Sequence, residues 1–271
     1  MPRSRLRKLE GKVAIVTGGA GGIGGGTSRY LADEGAAVVV ADLRGKGAAD
    51  LAAELTAAGH RAIGVDVDIT DEVQVQAMAQ AALDAFGRID GLHANAAATH
   101  LVRTDGLLMD LDRADFEQAF QVNVIGTWLC CKAVLPAMIE QGVGSIVATS
   151  SMAATHAAND KTAYGATKAS IANLMRTVAT QYGKQGVRAN TVLPGLIIHD
   201  KGTNLMSAQM RQDVLDQLLV PELGEPANVA SLVAYLFTDD ARYLTGHEFL
   251  VNGGMHVHSP GHDKRSVLDP Q

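Results

Sequence analysis

The run Val13-Ala14-Ile15-Val16-Thr17 leads straight into Gly18-Gly19-Ala20-Gly21-Gly22-Ile23-Gly24, and this junction limits the fold more than any other stretch. A continuous apolar, β-branched run predicts a strand buried on both faces. Glycines let the backbone approach a pyrophosphate closely. The helix expected over 22–34 then offers free N–H groups and the positive end of its dipole. A second apolar strand ends in Asp42, about 20 residues beyond the glycines, where a carboxylate suits a pair of ribose hydroxyls. Strand, glycine turn, helix, strand and acid in that order read as a dinucleotide-binding corner, not a flexible loop. Gly25 and Gly26 leave two readings open. Helical glycine costs about 1 kcal/mol relative to alanine, so either the helix starts late or the backbone is needed in close contact there.

Beyond this corner, strands and helices keep alternating. Strands are predicted near 13–17, 37–42, 61–66, 89–94, 145–150, 187–193 and 248–251. Helices are predicted near 22–34, 47–58, 71–86, 113–140, 162–184, 205–218 and 226–237. Asp112 suits the N-cap of the long fourth helix, and Gly35, Gly59 and Gly87 close the first three. Such alternation predicts a single-domain, Rossmann-like α/β fold: a doubly wound parallel sheet of about seven strands with helices on both faces. The expected boundaries are a basic tail over 1–10, a catalytic domain over 11–255 with a substrate loop at 196–221, and a tail over 256–271. That last segment reads either as a loose tail or as an arm on a neighbouring subunit.

Chemistry enters at Tyr164-Gly165-Ala166-Thr167-Lys168. Four residues apart on a proline-free helix, the phenol and the ammonium project from one face. Ser151, thirteen positions before the tyrosine, follows a predicted strand and so sits at its carboxyl end. A hydroxyl, a phenol and an ammonium meeting there can move a proton to or from a substrate oxygen. By itself this spacing also fits a surface tyrosine beside a solvated lysine; the glycine corner shifts the reading to catalysis.

Taken together, these motifs resemble the short-chain dehydrogenase/reductase family along nearly the whole chain. The family's Thr-Gly-x-x-x-Gly-x-Gly appears as Thr17, Gly18, Gly22 and Gly24, with Ile23 inside it. Its adenine-side Asp-Val looks like Asp68-Ile69, and its Asn-Ala-Gly like Asn95-Ala96-Ala97. Its catalytic Asn, Ser, Tyr and Lys match Asn123, Ser151, Tyr164 and Lys168. Pro194-Gly195, Thr245-Gly246 and Gly253-Gly254 complete the series. Departures are Ala94, Ala97, His199 and Asn252, where the family often carries Asn, Gly, Thr and Asp.

The resemblance implies hydride exchange between a secondary alcohol or ketone and a nicotinamide, with Tyr164 as acid–base residue. Lys168 and the cationic nicotinamide would favour the phenolate. Lys168 would also reach ribose hydroxyls, Ser151 would hold the substrate oxygen, and the Asn123 carbonyl would hold a relay water. Asn95, Ala96, Pro194, Gly195 and Ile197 would line the cofactor. Asp42 repels a 2′-phosphate, so NAD(H) is expected over NADP(H); Arg44 reads as solvent-facing, with phosphate pairing as the alternative. Met152, Ala153, His156, Leu196 and Met206 are the substrate candidates. The apolar residues of 196–221 suit a hydrophobic cyclic or steroid-like substrate and equally suit packing on the core. Two rival functions are a 3-oxoacyl-thioester reductase and a non-catalytic NAD(H)-sensing protein.

Composition bounds the partners. A formal charge of −6 argues against nucleic acid. No unbroken apolar stretch reaches the roughly 18 residues of a membrane span, and no apolar segment follows the Arg3, Arg5, Arg7, Lys8 cluster as in a secretory signal. Cys130 and Cys131 are adjacent and read as buried thiols of a reducing, cytoplasmic setting. No residue group shows metal-ligand spacing. The family likeness implies a homo-oligomer, a tetramer or dimer, to which Val124, Trp128, Leu129, Val134 and Leu135 on the fourth helix lend apolar surface.

Overall fold

A computed structural model describes residues 7–198 and 207–258. Its sheet has seven strands in the order β3-β2-β1-β4-β5-β6-β7, every neighbouring pair parallel. The strands are β1 Val13–Thr17, β2 Ala37–Asp42, β3 Ala62–Asp66, β4 Gly91–Ala94, β5 Gly144–Thr149, β6 Val187–Pro194 and β7 Glu248–Val251. The helices are α1 Gly22–Asp33, α2 Gly45–Ala57, α3 Glu72–Phe86, α4 Arg113–Phe120, α5 Gly126–Gln141, α6 Thr162–Tyr182, α7 Ala208–Leu215 and α8 Pro226–Phe237. Sequence order reverses between β1 and β4, which opens a crevice at the carboxyl ends of the strands, where open α/β sheets bind ligands.

Two apolar clusters cover the two sheet faces. Ile15, Val39, Leu92, Ile146 and residues of α3, α5 and α6 form one; Val16, Val40, Val147 and residues of α1, α2 and α8 form the other. Strands β1, β2 and β5 are buried at every position, as their unbroken apolar runs require. Gly35, Gly59 and Gly87 each take positive φ just past a helix end, as expected.

The choice left open at Gly25 and Gly26 resolves in favour of close contact. Helix α1 begins at Gly22 and runs through both glycines. A Cβ on Gly26 would lie 2.4 Å from Pro226 Cβ at the start of α8. Overpacking of this kind costs about 1–3 kcal/mol, which outweighs the roughly 1 kcal/mol of helix propensity gained with alanine.

The fourth helix expected over 113–140 is continuous over Arg113–Gln141, with an unexpected π-helical turn, Gln121–Ile125, between α4 and α5. Asp112 occupies the N-cap of α4 without a side-chain capping bond. The helical run Arg113–Gln141 is long and apolar enough to cross a membrane by length and composition, and half of its most apolar window is buried within the fold. Leu129, Val134 and Leu135 belong to the core, so of the apolar residues offered for subunit contact only Trp128, at 45% exposure, stands well out of it.

Strands β3 and β4 start one and two residues later than expected. Before β4, the Ile89 main chain is instead bound by the Gln141 side chain. The helix expected over 205–218 appears as Ala208–Leu215 in its described part. Within the expected basic tail, Leu9 is buried and Lys8 pairs with Asp240 at 2.8 Å. Within the expected carboxyl tail, His258 Nε2 sits 2.8 Å from the Gln217 carbonyl. Arg3, Arg5, His199, Met206 and 259–271 lie outside the described residues.

Candidate active site

The turn after β1 is shaped for an anion. Gly18 and Gly22 hold φ of +62° and +54°, a region that glycine enters without steric cost. A Cβ on Gly24 would lie 2.1 Å from the Gly18 carbonyl oxygen. Gly21 forms the N-cap of α1, and no side chain caps that end, so the helix keeps uncapped N–H groups at the positive end of its dipole. A Cβ on Gly21 would meet only the Arg44 guanidinium, at 3.4 Å. This open, uncapped cradle fits the diphosphate of a dinucleotide.

Asp42 ends β2 beside it and is buried. Its carboxylate accepts the Ala20 N–H at 3.1 Å, the Arg44 N–H at 2.9 Å and Arg44 Nε at 3.3 Å. Arg44 is therefore exposed yet ion-paired to Asp42, which neither expectation for it had included. Asp68 closes a turn by accepting from the Thr70 N–H and hydroxyl. Two cofactor candidates turn out to be structural in their side chains. Ile69 is buried in the core beneath Gly126, which leaves only its main chain for a nucleotide. Thr17 is buried too, and its hydroxyl accepts the Asn95 and Ala96 N–H groups, tying β1 to the loop after β4. Ile23 packs on the cluster under α1.

Ser151, Tyr164 and Lys168 meet at the carboxyl end of β5. Ser151 starts a short 3₁₀ turn, Met152–Ala154, and accepts the Ala153 N–H at 3.1 Å. That turn lies against α6, since a Cβ on Gly165 would be 3.0 Å from the Ala153 carbonyl oxygen. Lys168 is fully buried; its Nζ donates to the Thr149 carbonyl at 2.8 Å and stands 5.5 Å from the centre of the Tyr164 ring. Burial pushes the Tyr164 phenol above its ordinary value, and a hydrogen bond with Ser151 offsets part of that rise. Burial lowers Lys168 to about 8. The expectation that Lys168 and the cationic nicotinamide favour the phenolate concerns the cofactor-bound state; in the protein alone burial is the larger effect on the phenol.

Asn123 sits inside the π-helical turn and is buried. Its Oδ1 accepts the Ala98 N–H at 2.8 Å and its Nδ2 donates to Thr167 Oγ1 at 3.0 Å. The Asn123 carbonyl, expected to hold a water, accepts the Thr127 hydroxyl at 2.7 Å. A carbonyl has a second lone pair.

Beside the 3₁₀ turn, where substrate candidates were expected, Asn252 Nδ2 donates to Met152 Sδ at 3.1 Å and lies 2.8 Å from His256 Nδ1. The His156 and His256 rings are edge to face at 5.9 Å. Pro194 ends β6; Gly195 fits beneath Asn252, and Ile197 bridges to Gly224. Leu196 is exposed beside them. The β4–α4 connection was missed in sequence. Ala98, Leu101, Asp105 and Leu111 line a hollow with Tyr164 and Asn123. Asp105 also accepts the Ala163 and Tyr164 N–H groups at 3.0 and 2.8 Å. Lys161, the N-cap of α6, makes no side-chain capping bond; that lack was the one signal that an acceptor must come from elsewhere.

Comparisons with known proteins bear on the family and the fold. The family model described as enoyl-(acyl carrier protein) reductase matches residues 18–256. A 7alpha-hydroxysteroid dehydrogenase of Bacteroides fragilis is 37% identical over 255 residues, covering 94% of this chain and 98% of the relative. A cis-4-hydroxycyclohexanecarboxylate dehydrogenase of Sinomonas cyclohexanicum is 37% identical, covering 90% and 96%. A solved structure of a 7 alpha-hydroxysteroid dehydrogenase complexed with NADH and 7-oxo glycochenodeoxycholic acid aligns with a TM-score of 0.86 at 31% identity, covering 94% of this chain and 98% of that one.

Proposed function

The chain belongs to the short-chain dehydrogenase/reductase family, and on that premise we propose that it moves a hydride between NAD(H) and a secondary alcohol or ketone of hydrophobic, cyclic or steroid-like character. The observation that carries this reading is the convergence of Ser151, Tyr164 and Lys168 across the crevice from an uncapped glycine turn and its Asp42.

Bound nicotinamide would supply or take up the hydride. The protein's own groups do the rest. Gly18–Gly24 holds the diphosphate, and Asp42 takes the ribose hydroxyls of the adenosine half with lone pairs left over from Ala20 and Arg44. Lys168 spends one N–H on the Thr149 carbonyl and keeps two for the other ribose. Ser151 orients the substrate oxygen. In the reducing direction Tyr164 gives its proton to that oxygen, and in the oxidising direction it takes the proton back. The phenol's raised pKa suits the donor role at neutral pH. The Asn123 carbonyl is assigned a water on the path from Lys168 to solvent, beside the Thr127 hydroxyl that it already accepts. Exposed Trp128 on α5 gives a homo-oligomer an apolar contact.

The names of the relatives support a cyclic substrate. The test is a panel of cyclic, steroid and acyl-thioester alcohols and ketones with NAD(H) and NADP(H), followed by nicotinamide absorbance. Turnover of cyclic alcohols with NAD(H) is expected. Dinucleotide binding without turnover anywhere in the panel would overturn the enzymatic reading in favour of a sensor.

A further inference from the structure

His93 sits at the centre of the sheet on β4 and is fully buried. Its register partners are Val16 on β1 and Val147 on β5, and Val16 in turn pairs with Val40. An imidazole thus interrupts a row that is otherwise valine across these strands. The mechanism above makes no use of it.

Asn95 Nδ2 lies 3.2 Å from the Thr17 carbonyl and 3.4 Å from that of Gly18. Carbonyls only accept, so this end of Asn95 is the NH₂ group and Oδ1 faces the other way. Oδ1 meets Thr149 Oγ1 at 3.2 Å, so the single Thr149 hydroxyl proton goes to Asn95. His93 Nε2, 2.8 Å from the same oxygen, must then be the donor, which fixes the imidazole as the Nε2–H tautomer. Nδ1 has no hydrogen-bond partner among the described residues. The circuit closes when the Thr17 hydroxyl donates to the His93 carbonyl at 3.4 Å.

This ring of bonds touches both halves of the site. Gly18 opens the dinucleotide turn, and the Thr149 carbonyl holds Lys168 Nζ. We infer that His93 is a positioning residue: its Nε2–H sets the direction of the Thr149–Asn95 bonds and so holds the Gly18 turn and the Lys168 anchor in one arrangement. The inference rests on the dinucleotide reading for its binding arm only. The opposite tautomer would turn the Thr149 proton toward His93 and leave Asn95 Oδ1 without its donor.

The test uses the full-length protein with His93→Leu, His93→Gln and Thr149→Val. Glutamine reaches about as far as Nε2 and can donate. Expected is a rise of about fivefold in the Kd for NADH in His93→Leu and Thr149→Val, the size of one ordinary hydrogen bond. The double variant should be no worse than either single, and His93→Gln should stay within about twofold of wild type. In the ligand-free protein, nitrogen NMR should show Nε2 protonated, and amide exchange at Gly18 and Asn95 should rise in the Leu variant but not in the Gln variant. An Nδ1–H tautomer, or equal behaviour of the Leu and Gln variants, would overturn the inference. If His93→Leu fails to fold, the Gln and Thr149→Val variants and the tautomer decide it. A wild type that binds neither NADH nor NADPH would instead refute the proposed function, while the tautomer and exchange readings still judge His93.

Discussion

Asp105 accepts the main-chain N–H of Tyr164 at 2.8 Å, and its other oxygen accepts that of Ala163 at 3.0 Å. A carboxylate from the β4–α4 connection therefore caps the helix that carries the phenol and ammonium. The free amides of a first helical turn need an acceptor, and a negative charge at that end also meets the helix dipole favourably. Asp105 also lines the same hollow as Tyr164, so the cap fixes the start of the helix that carries the proposed acid–base residue.

Replacing Asp105 by Ala should destabilise the protein by about 1–2 kcal/mol, the range for losing a cap, and lower kcat by more than KM changes. Asp105→Asn retains one acceptor oxygen and should lie between Ala and wild type. Urea midpoints read the first effect and steady-state kinetics the second. An Ala variant as stable and as active as wild type would remove Asp105 from the site.

Tyr164→Phe should abolish nearly all turnover while NADH still binds. The phenyl ring keeps the packing around Lys168 and loses only the hydroxyl proposed to exchange a proton with the substrate. Activity assays beside a fluorescence titration separate the two properties. Undiminished turnover would show that another residue moves the proton.

Asp42→Ala should shift dinucleotide preference toward NADP(H), by tenfold or more in the ratio of kcat/KM values. The carboxylate proposed to repel a 2′-phosphate is removed, and the Arg44 guanidinium now paired with it is released to meet one. Wild-type preference for NADPH would contradict the role given to Asp42.

Much of the fold was legible because its signals are local. The β1–α1 corner needs only residues 13–24, and the strand runs carry their burial in their own composition. What escaped depends on partners far away in sequence. The π-helical turn around Val122-Asn123-Val124 breaks no propensity rule; its purpose shows only when Asn123 meets Ala98 and Thr167. Gly26 made sense only once Pro226 was beside it. Asp105 lies in a stretch with no periodicity, and the missing cap at Lys161 identified a need without naming the acceptor that meets it. Ile69 matched a motif position while its side chain was serving the core.

Lys168 makes stability depend on pH in a direction that can be checked. Its folded pKa is lowered to about 8 from 10.5 by burial. Between those values the unfolded chain holds a proton that the native chain has lost, so the contribution to stability rises with pH across that window. Below about pH 8 the native state carries the full penalty of a buried ammonium, on the order of 3 kcal/mol at 1.36 kcal/mol per pH unit. Lys168→Met removes the charge and keeps the volume. That variant should be inactive yet more stable than wild type at pH 7, with the gap narrowing as pH climbs toward 10. Urea midpoints measured for both proteins at pH 7, 8.5 and 10 test this. A gap that stays constant with pH would mean that Lys168 is as well solvated in the folded protein as in the unfolded chain, and its tight placement against Thr149 would lose its electrostatic meaning.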